Sequence, residues 1–189
     1  TQGLVSTGGT KGRETFVPES DATVVSRMRS EGAIVLGKTN TPELTLAFET
    51  DNLIYGRTNN PYDLDRTPGG SSGGAGAIIA SGGSPVDLGT DTGGSVRVPS
   101  GFCGISGLKP TSGRVPRTGH IISHSLGAID SLTTVGPMAR FVEDLAMVYP
   151  IISGPDGIDP AIVPMALGNP ADVDIKQLQV AYFTDIGNI

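Results

Sequence analysis

Residues 67–116 read TPGGSSGGAGAIIASGGSPVDLGTDTGGSVRVPSGFCGISGLKPTSGRVP, and the rest of the chain is organised around them. The stretch holds two glycine-flanked serine sites, Gly69-Gly70-Ser71-Ser72-Gly73-Gly74 and Thr92-Gly93-Gly94-Ser95. Glycine tolerates backbone angles that other residues resist and lets main-chain N–H groups approach a ligand closely. A serine in such a loop presents its hydroxyl beside N–H donors. Acyl transfer needs that pairing, a nucleophile next to an oxyanion site. Within the stretch, Ala75 to Ser81 is small and apolar and predicts a closely packed helix. Pro85 to Leu88 predicts a strand, Gly89 to Gly94 the loop that leaves it, Pro99 to Cys103 one helical turn, and Gly107 to Gly113 another loop.

Upstream, Thr1 to Pro18 is polar and reads as a loop; its Gly-Gly-Thr-Lys does not meet the spacing of a phosphate loop. Ser20 or Asp21 can cap a helix running to about Glu31, with Ala22, Val24, Val25 and Met28 on its apolar side. Gly32 ends it, and Ala33 to Leu36 reads as a buried strand. Helix followed by buried strand is an α/β pattern. A second short helix starts with Thr41 as N-cap and Pro42 at its first position. Asp51 to Arg66 is turn-rich and predicts a surface connection.

Downstream, residues 116–135 read as irregular and carry His120 and His124. Phe141, Leu145, Val148 and Ile152 recur at helical spacing over Ala139 to Ile152, where Pro150 is expected to shorten the helix. Gly154 to Asp174 reads as a linker and Leu178 to Phe183 as a final strand. A last strand with few partners, and a start without an initiator methionine, read as a chain cut at both ends.

With 189 residues the chain fits one domain or part of a larger one. The net charge of −6 and the scattered Lys and Arg residues give no footprint for nucleic acid. No apolar run approaches a membrane span. The single Cys103 excludes an internal disulfide, and its small apolar surroundings predict a buried, inert thiol. One cysteine and two histidines do not make a zinc-like ligand set.

Two other chemistries compete for the serine stretch. Gly70-Ser71-Ser72-Gly73-Gly74 satisfies a hydrolase nucleophile elbow centred on Ser72, with Asp87 or Asp91 and His120 or His124 as partners at compressed spacing. That scheme gives no reason for the second site at Ser95. Asp87 and Asp91 as a carboxylate pair have no companion motif.

GGSSGG followed by LGTDTGGSVRVPSGFCGISGLKPTSGRVP resembles the amidase signature family, as do DATVVSRMRSEGAIVLGKTNTPEL, NNPYDLDRTPGG and GPMARFVEDLAMV. The resemblance covers residues 1–152, which makes the chain a partial amidase domain with a variable region and final strand over 153–189. It implies an α/β fold, a mixed β-sheet core covered by helices. It also implies a serine–cis-serine–lysine triad, with Ser95 as nucleophile and Ser71 as relay after a cis Gly70–Ser71 peptide. The N–H groups of Thr92, Gly93, Gly94 and Ser95 would form the oxyanion hole, with Ser72, Asp91 and Arg97 in support. The catalytic lysine of the family would lie a few residues before Thr1, since Lys11, Lys38, Lys109 and Lys176 do not match its position.

By function, the resemblance implies an amidase acting on a small-molecule amide through an acyl-enzyme, without metal or organic cofactor. A homodimer is compatible with it, membrane association is not indicated, and the cytoplasm is the favoured compartment. Two alternatives stand beside it: a glutaminase of the amidotransferase A-subunit kind, and an inactive, binding-only domain without its base. Val98 stands where the glutaminase branch is expected to carry glutamine after Arg97, whereas ETDNLIYG at residues 49–56 is similar to the fatty-acid-amide-hydrolase branch.

Overall fold

The computed structural model describes residues 1–121, 127–182 and 184. Strand β3 (Thr134–Ala139) is the centre of a three-stranded sheet, flanked by β1 (Val86–Asp91) and β2 (Ser106–Gly107), both antiparallel to it. Side chains alternate across a strand, so β3 serves two cores. Val135 packs with Val24 of helix α1 (Thr23–Ser30) and with Val148 and Ile152 of helix α4 (Val142–Ile152). Met138, on the other face, packs with Ala75 and Ile79 of helix α2 (Gly73–Ala80) and with Val96, just before helix α3 (Arg97–Cys103). The result is the expected α/β layering, with a helix pair on each face of the sheet.

The small side chains of α2 let it lie flush on its neighbours. At Gly74 a Cβ would collide with the backbone N and O of Asn40, and the Gly74 N–H donates to that carbonyl at 3.2 Å. The segment before α2 is therefore pressed onto the helix that follows the first serine pair. Arg27 of α1 caps α4 from outside: its guanidinium donates to the carbonyls of Ile152, Ser153 and Gly154 at 2.8–3.0 Å, and to that of Pro155 at 2.8 Å. The first of them belongs to the last turn of α4, whose carbonyls a helix end leaves without partners, and the others to the chain that follows it.

Several local expectations need correction. Ala33 to Leu36 forms no strand; Ile34 is 85% and Leu36 71% exposed, because no neighbouring chain among the described residues pairs with or covers them. Residues 178–182 are likewise exposed and non-regular, and Phe183 lies outside the described residues. Strand β1 continues through Gly89 and Thr90 to Asp91, where a loop was expected, because β3 supplies a partner along its whole length. Strand β3 starts at the end of the region expected to be irregular (116–135) and runs to Ala139, where the helix was expected to begin: Gly136 and Pro137 argue against a central strand, yet Pro137 offers its carbonyl to the Leu108 N–H at 3.0 Å.

Neither Ser20 nor Asp21 caps α1. Ala22 holds that position, and Asp21 accepts from the Gln2 N–H and pairs with Arg29. The expected helix after Thr41 is a single 3-10 turn, Glu43–Thr45, in which Leu44 and Thr45 take positive φ values of 50° and 61°. Pro150 does not shorten α4, which runs to Ile152. No described helix is long and apolar enough to cross a membrane.

Candidate active site

The two serine loops meet where β1 ends and α2 begins. The Gly70–Ser71 peptide is cis, as the resemblance implies. The Ser72 N–H donates to the Ser95 carbonyl at 3.1 Å, tying the first loop to the second. The Ser72 hydroxyl is buried and accepts from the Thr90 N–H at 3.3 Å, which ties it to β1. Thr50 braces the other side: its hydroxyl donates to the Gly69 carbonyl at 2.9 Å and accepts from the Gly73 N–H at 3.1 Å. At Gly70 a Cβ would stand 2.8 Å from the Ala47 carbonyl oxygen, so the strap of residues 45–48 lies directly on the cis peptide.

Ser71 and Ser95 line one cleft of about 240 Å³, together with Thr92, Gly93, His120 and Thr133 among others. The strap contributes Leu46, Ala47 and Phe48 as its apolar wall, with the Phe48 ring beside Gly93 and Gly94. The hydroxyls of Thr92 and Thr133 are hydrogen-bonded to each other at 2.8 Å. Ser72 is not among the lining residues, and Asp91 faces its own loop. The elbow scheme centred on Ser72 therefore lacks an accessible nucleophile, and His124 lies outside the described residues.

Asp91 is the fixed point of the second loop. Its carboxylate, 0% exposed, accepts from the N–H groups of Gly94, Val96 and Arg97 at 2.8, 3.1 and 3.2 Å, and from the Arg97 guanidinium at 3.0 and 2.9 Å. Burial works against the carboxylate, but Arg97 and these N–H donors outweigh it and hold its carboxyl below the usual carboxylate range. The pairing raises Arg97 in turn. Because the Gly94 N–H is donated to Asp91, it is already engaged within the expected oxyanion set. Among the described residues, the N–H groups of Gly93 and Ser95 carry no hydrogen bond.

The structure thus gathers Ser71, Ser95, Thr92 and Gly93 at one cleft, with Ser72, Asp91 and Arg97 behind it. Asp87 is elsewhere, at the start of β1, where burial pushes its carboxyl up against the opposing Leu88 N–H, Thr39 hydroxyl and Lys38 charge. None of the four lysines lines the cleft as the described residues form it. Cys103, the last residue of α3, is buried against α2 at Gly76, and burial pushes its thiol up, as expected of an inert cysteine. No group of three or more His, Cys, Asp or Glu residues capable of holding a metal ion occurs among the described residues. Sequence reading missed Leu46, Phe48, Thr133 and the place of His120. No local motif marks them, since they reach the cleft through the strap and through the separate positions 120 and 133.

The family model described as Amidase matches residues 1–189. The A subunit of glutamyl-tRNA(Gln) amidotransferase from Sulfurisphaera tokodaii is 42% identical over 186 residues, spanning 98% of this chain and 38% of that protein. The crystal structure of the corresponding protein from Thermotoga maritima superposes with a TM-score of 0.82 at 40% identity, covering 88% of this chain and 36% of that one. A 6-aminohexanoate cyclic dimer hydrolase complexed with substrate gives a TM-score of 0.81 at 38% identity, over 88% of this chain and 34% of its own. The chain therefore spans little more than a third of the length of these relatives.

Proposed function

Since the chain belongs to the amidase signature family, a family of enzymes that cleave C–N bonds, we propose that it carries the serine site of an amidase that hydrolyses carboxylic amides through an acyl-enzyme. The observation that carries this reading is the cleft shared by Ser95 and Ser71, at the junction of the two glycine loops. Ser95 attacks the amide carbonyl. The N–H groups of Gly93 and Ser95 stand ready for the oxyanion, with Thr92 beside them, while the Gly94 N–H holds the loop through Asp91.

A serine hydroxyl is a weak nucleophile and needs a base. Ser95 passes its proton to Ser71 as Ser71 passes its own to a neutral lysine, supplied by a part of the protein outside residues 1–189. The path reverses to protonate the leaving nitrogen, and water then hydrolyses the ester at Ser95. Ser72 keeps the two loops in register through its N–H and hydroxyl, and needs no exposure to do so.

In the intact protein, Ser95→Ala is expected to abolish labelling by a fluorophosphonate probe and to cut amide hydrolysis by at least about a thousandfold. Ser72→Ala should cost far less. Labelling that survives in Ser95→Ala but vanishes in Ser72→Ala would reverse the assignment in favour of the elbow at Ser72. The gene sequence just before Thr1 tests the base: a lysine within a few positions is expected.

A second reading is favoured by the relatives, several of which are named as the A subunit of glutamyl-tRNA(Gln) amidotransferase. On it, the same serine releases ammonia from glutamine. Against it stands Val98, whose methyl groups fill the space beside Gly69 and Gly94 with apolar surface. Ammonia release from glutamine, compared with hydrolysis of simple aliphatic amides, separates the two.

A further inference from the structure

Thr50 is buried, 1% exposed, and has no part in the proton path described above, yet its hydroxyl joins the two ends of the loop that carries Ser71. Resting on that path, we propose that Thr50 is a positioning residue, whose hydroxyl clamps Gly69 to Gly73 and so holds Ser71 in place to carry the proton between Ser95 and the leaving nitrogen.

A threonine hydroxyl has one proton to donate and lone pairs to accept. Thr50 spends both on the main chain, donating to the Gly69 carbonyl at 2.9 Å and accepting from the Gly73 N–H at 3.1 Å. Gly73 opens α2, and its N–H is one of those that a helix start leaves without a partner inside the helix. The fit is close: a Cβ at Gly73 would collide with the Thr50 side chain. Between the clamped ends, Ser72 is held by its N–H on the Ser95 carbonyl and by its hydroxyl, which accepts from the Thr90 N–H. A serine oxygen has one side-chain torsion with three staggered choices. Where the backbone of Ser71 is held, its hydroxyl is therefore placed to within a rotamer.

Thr50 is itself fixed. Its carbonyl accepts from the Thr58 N–H at 2.9 Å, and the Thr58 hydroxyl accepts from the Asn40 side-chain amide at 3.0 Å. Asn40 returns to α2 through its carbonyl, which accepts from the Gly74 N–H at 3.2 Å. Asn52 secures the same segments, donating to Asn40 Oδ1 at 2.6 Å and to the Thr41 carbonyl at 2.8 Å. Thr50 does not line the cleft, so its effect on the reaction passes through Ser71.

Amide hydrolysis and fluorophosphonate labelling ask different things of Ser71. Both need the Ser95 proton removed, but an amide nitrogen leaves only with a proton returned through Ser71, whereas the probe's fluoride leaves without one. The readout in the full-length protein is kcat/KM on an amide divided by the second-order rate of labelling, with butyramide or glutamine as the amide, according to which one wild type hydrolyses. Thr50→Val removes the hydroxyl at nearly the same shape. It should lower this ratio about tenfold, with the loss in kcat and not in KM. Thr50→Ser, which keeps the hydroxyl, should restore most of it. If Thr50→Val does not fold, Thr50→Ala removes the hydroxyl with less bulk and reads the same ratio. An unchanged ratio in the variant without the hydroxyl overturns the proposal, even where both rates fall together, since Thr50 then supports the site as a whole. So does a lowered ratio that Thr50→Ser fails to restore. Ser95→Ala separates this failure from that of the serine mechanism. Amide turnover that survives in Ser95→Ala, or is absent from wild type, sinks the mechanism and the proposal together. Loss of turnover in Ser95→Ala beside an unchanged ratio in Thr50→Val sinks the proposal alone.

Discussion

Asp91 gathers three main-chain N–H groups and two N–H groups of the Arg97 guanidinium onto one fully buried carboxylate. The two partners are unequal. Arg97→Ala removes a side chain that is 54% exposed, and should cost about 1 kcal/mol in a thermal or urea melt. Asp91→Ala strands several donors at once and should cost about 3 kcal/mol or more, with a larger loss of acyl transfer, because the loop that carries Ser95 loses its anchor. The pH dependence has a definite sign. A carboxyl held below its ordinary value of 3.8 stabilises the fold fully above that value, and the contribution is lost as pH falls through the lower folded value. The stability gap between wild type and Asp91→Asn should therefore narrow below about pH 4, as acid titrations of both would show. Ser71 and Ser95 were legible in the sequence as serines in glycine-rich loops, and Asp91 and Arg97 entered as supports through the family resemblance of the motif that holds them. The engagement of the Gly94 N–H by Asp91 was not legible, because it depends on the path of the loop and not on its residues.

At the level of single elements, α2 and α3 give opposite answers to the same substitution. Gly101 lies inside α3, exposed, with nothing within 4 Å of the place a Cβ would take. Gly101→Ala should stabilise the fold by about 0.5–1 kcal/mol, the ordinary gain of alanine over glycine in a helix. Gly74→Ala drives a methyl into the backbone of Asn40 and should cost more than about 2 kcal/mol, visible as a lowered Tm together with weaker probe labelling at Ser95. Helices α1, α2 and α4 were legible because their apolar spacing or small-residue runs follow the helical period. Strand β3 was hidden by Gly136 and Pro137, residues that discourage a strand locally. It forms because both edges of its backbone meet partner strands and both faces meet helices. The strand expected at Ala33 to Leu36 failed for the reverse reason: it has the composition of a strand and no partner among the described residues.

The molecule as a whole exposes 11237 Å². A compact monomer of its 19.3 kDa would expose about 8,500 Å². The excess includes Ile34, Leu36, Leu53, Val180 and Tyr182, apolar side chains at least 71% exposed that a finished core would cover. Produced alone, residues 1–189 should bind a hydrophobic dye and self-associate at micromolar concentration. The same residues within the full-length protein should do neither, and dye fluorescence with size-exclusion chromatography would check this. What the sequence determined by itself was a set of candidates: two glycine-cradled serines and an α/β alternation, legible in short motifs whose residue types carry their own physical reason, with the carboxylate and arginine beside the serines implied by the family resemblance. What only the tertiary structure decided was the company these residues keep. The cleft's apolar strap, Thr133 and His120 come from segments far apart in the chain, and long-range strand pairing and helix packing bring them together, which no local spacing encodes.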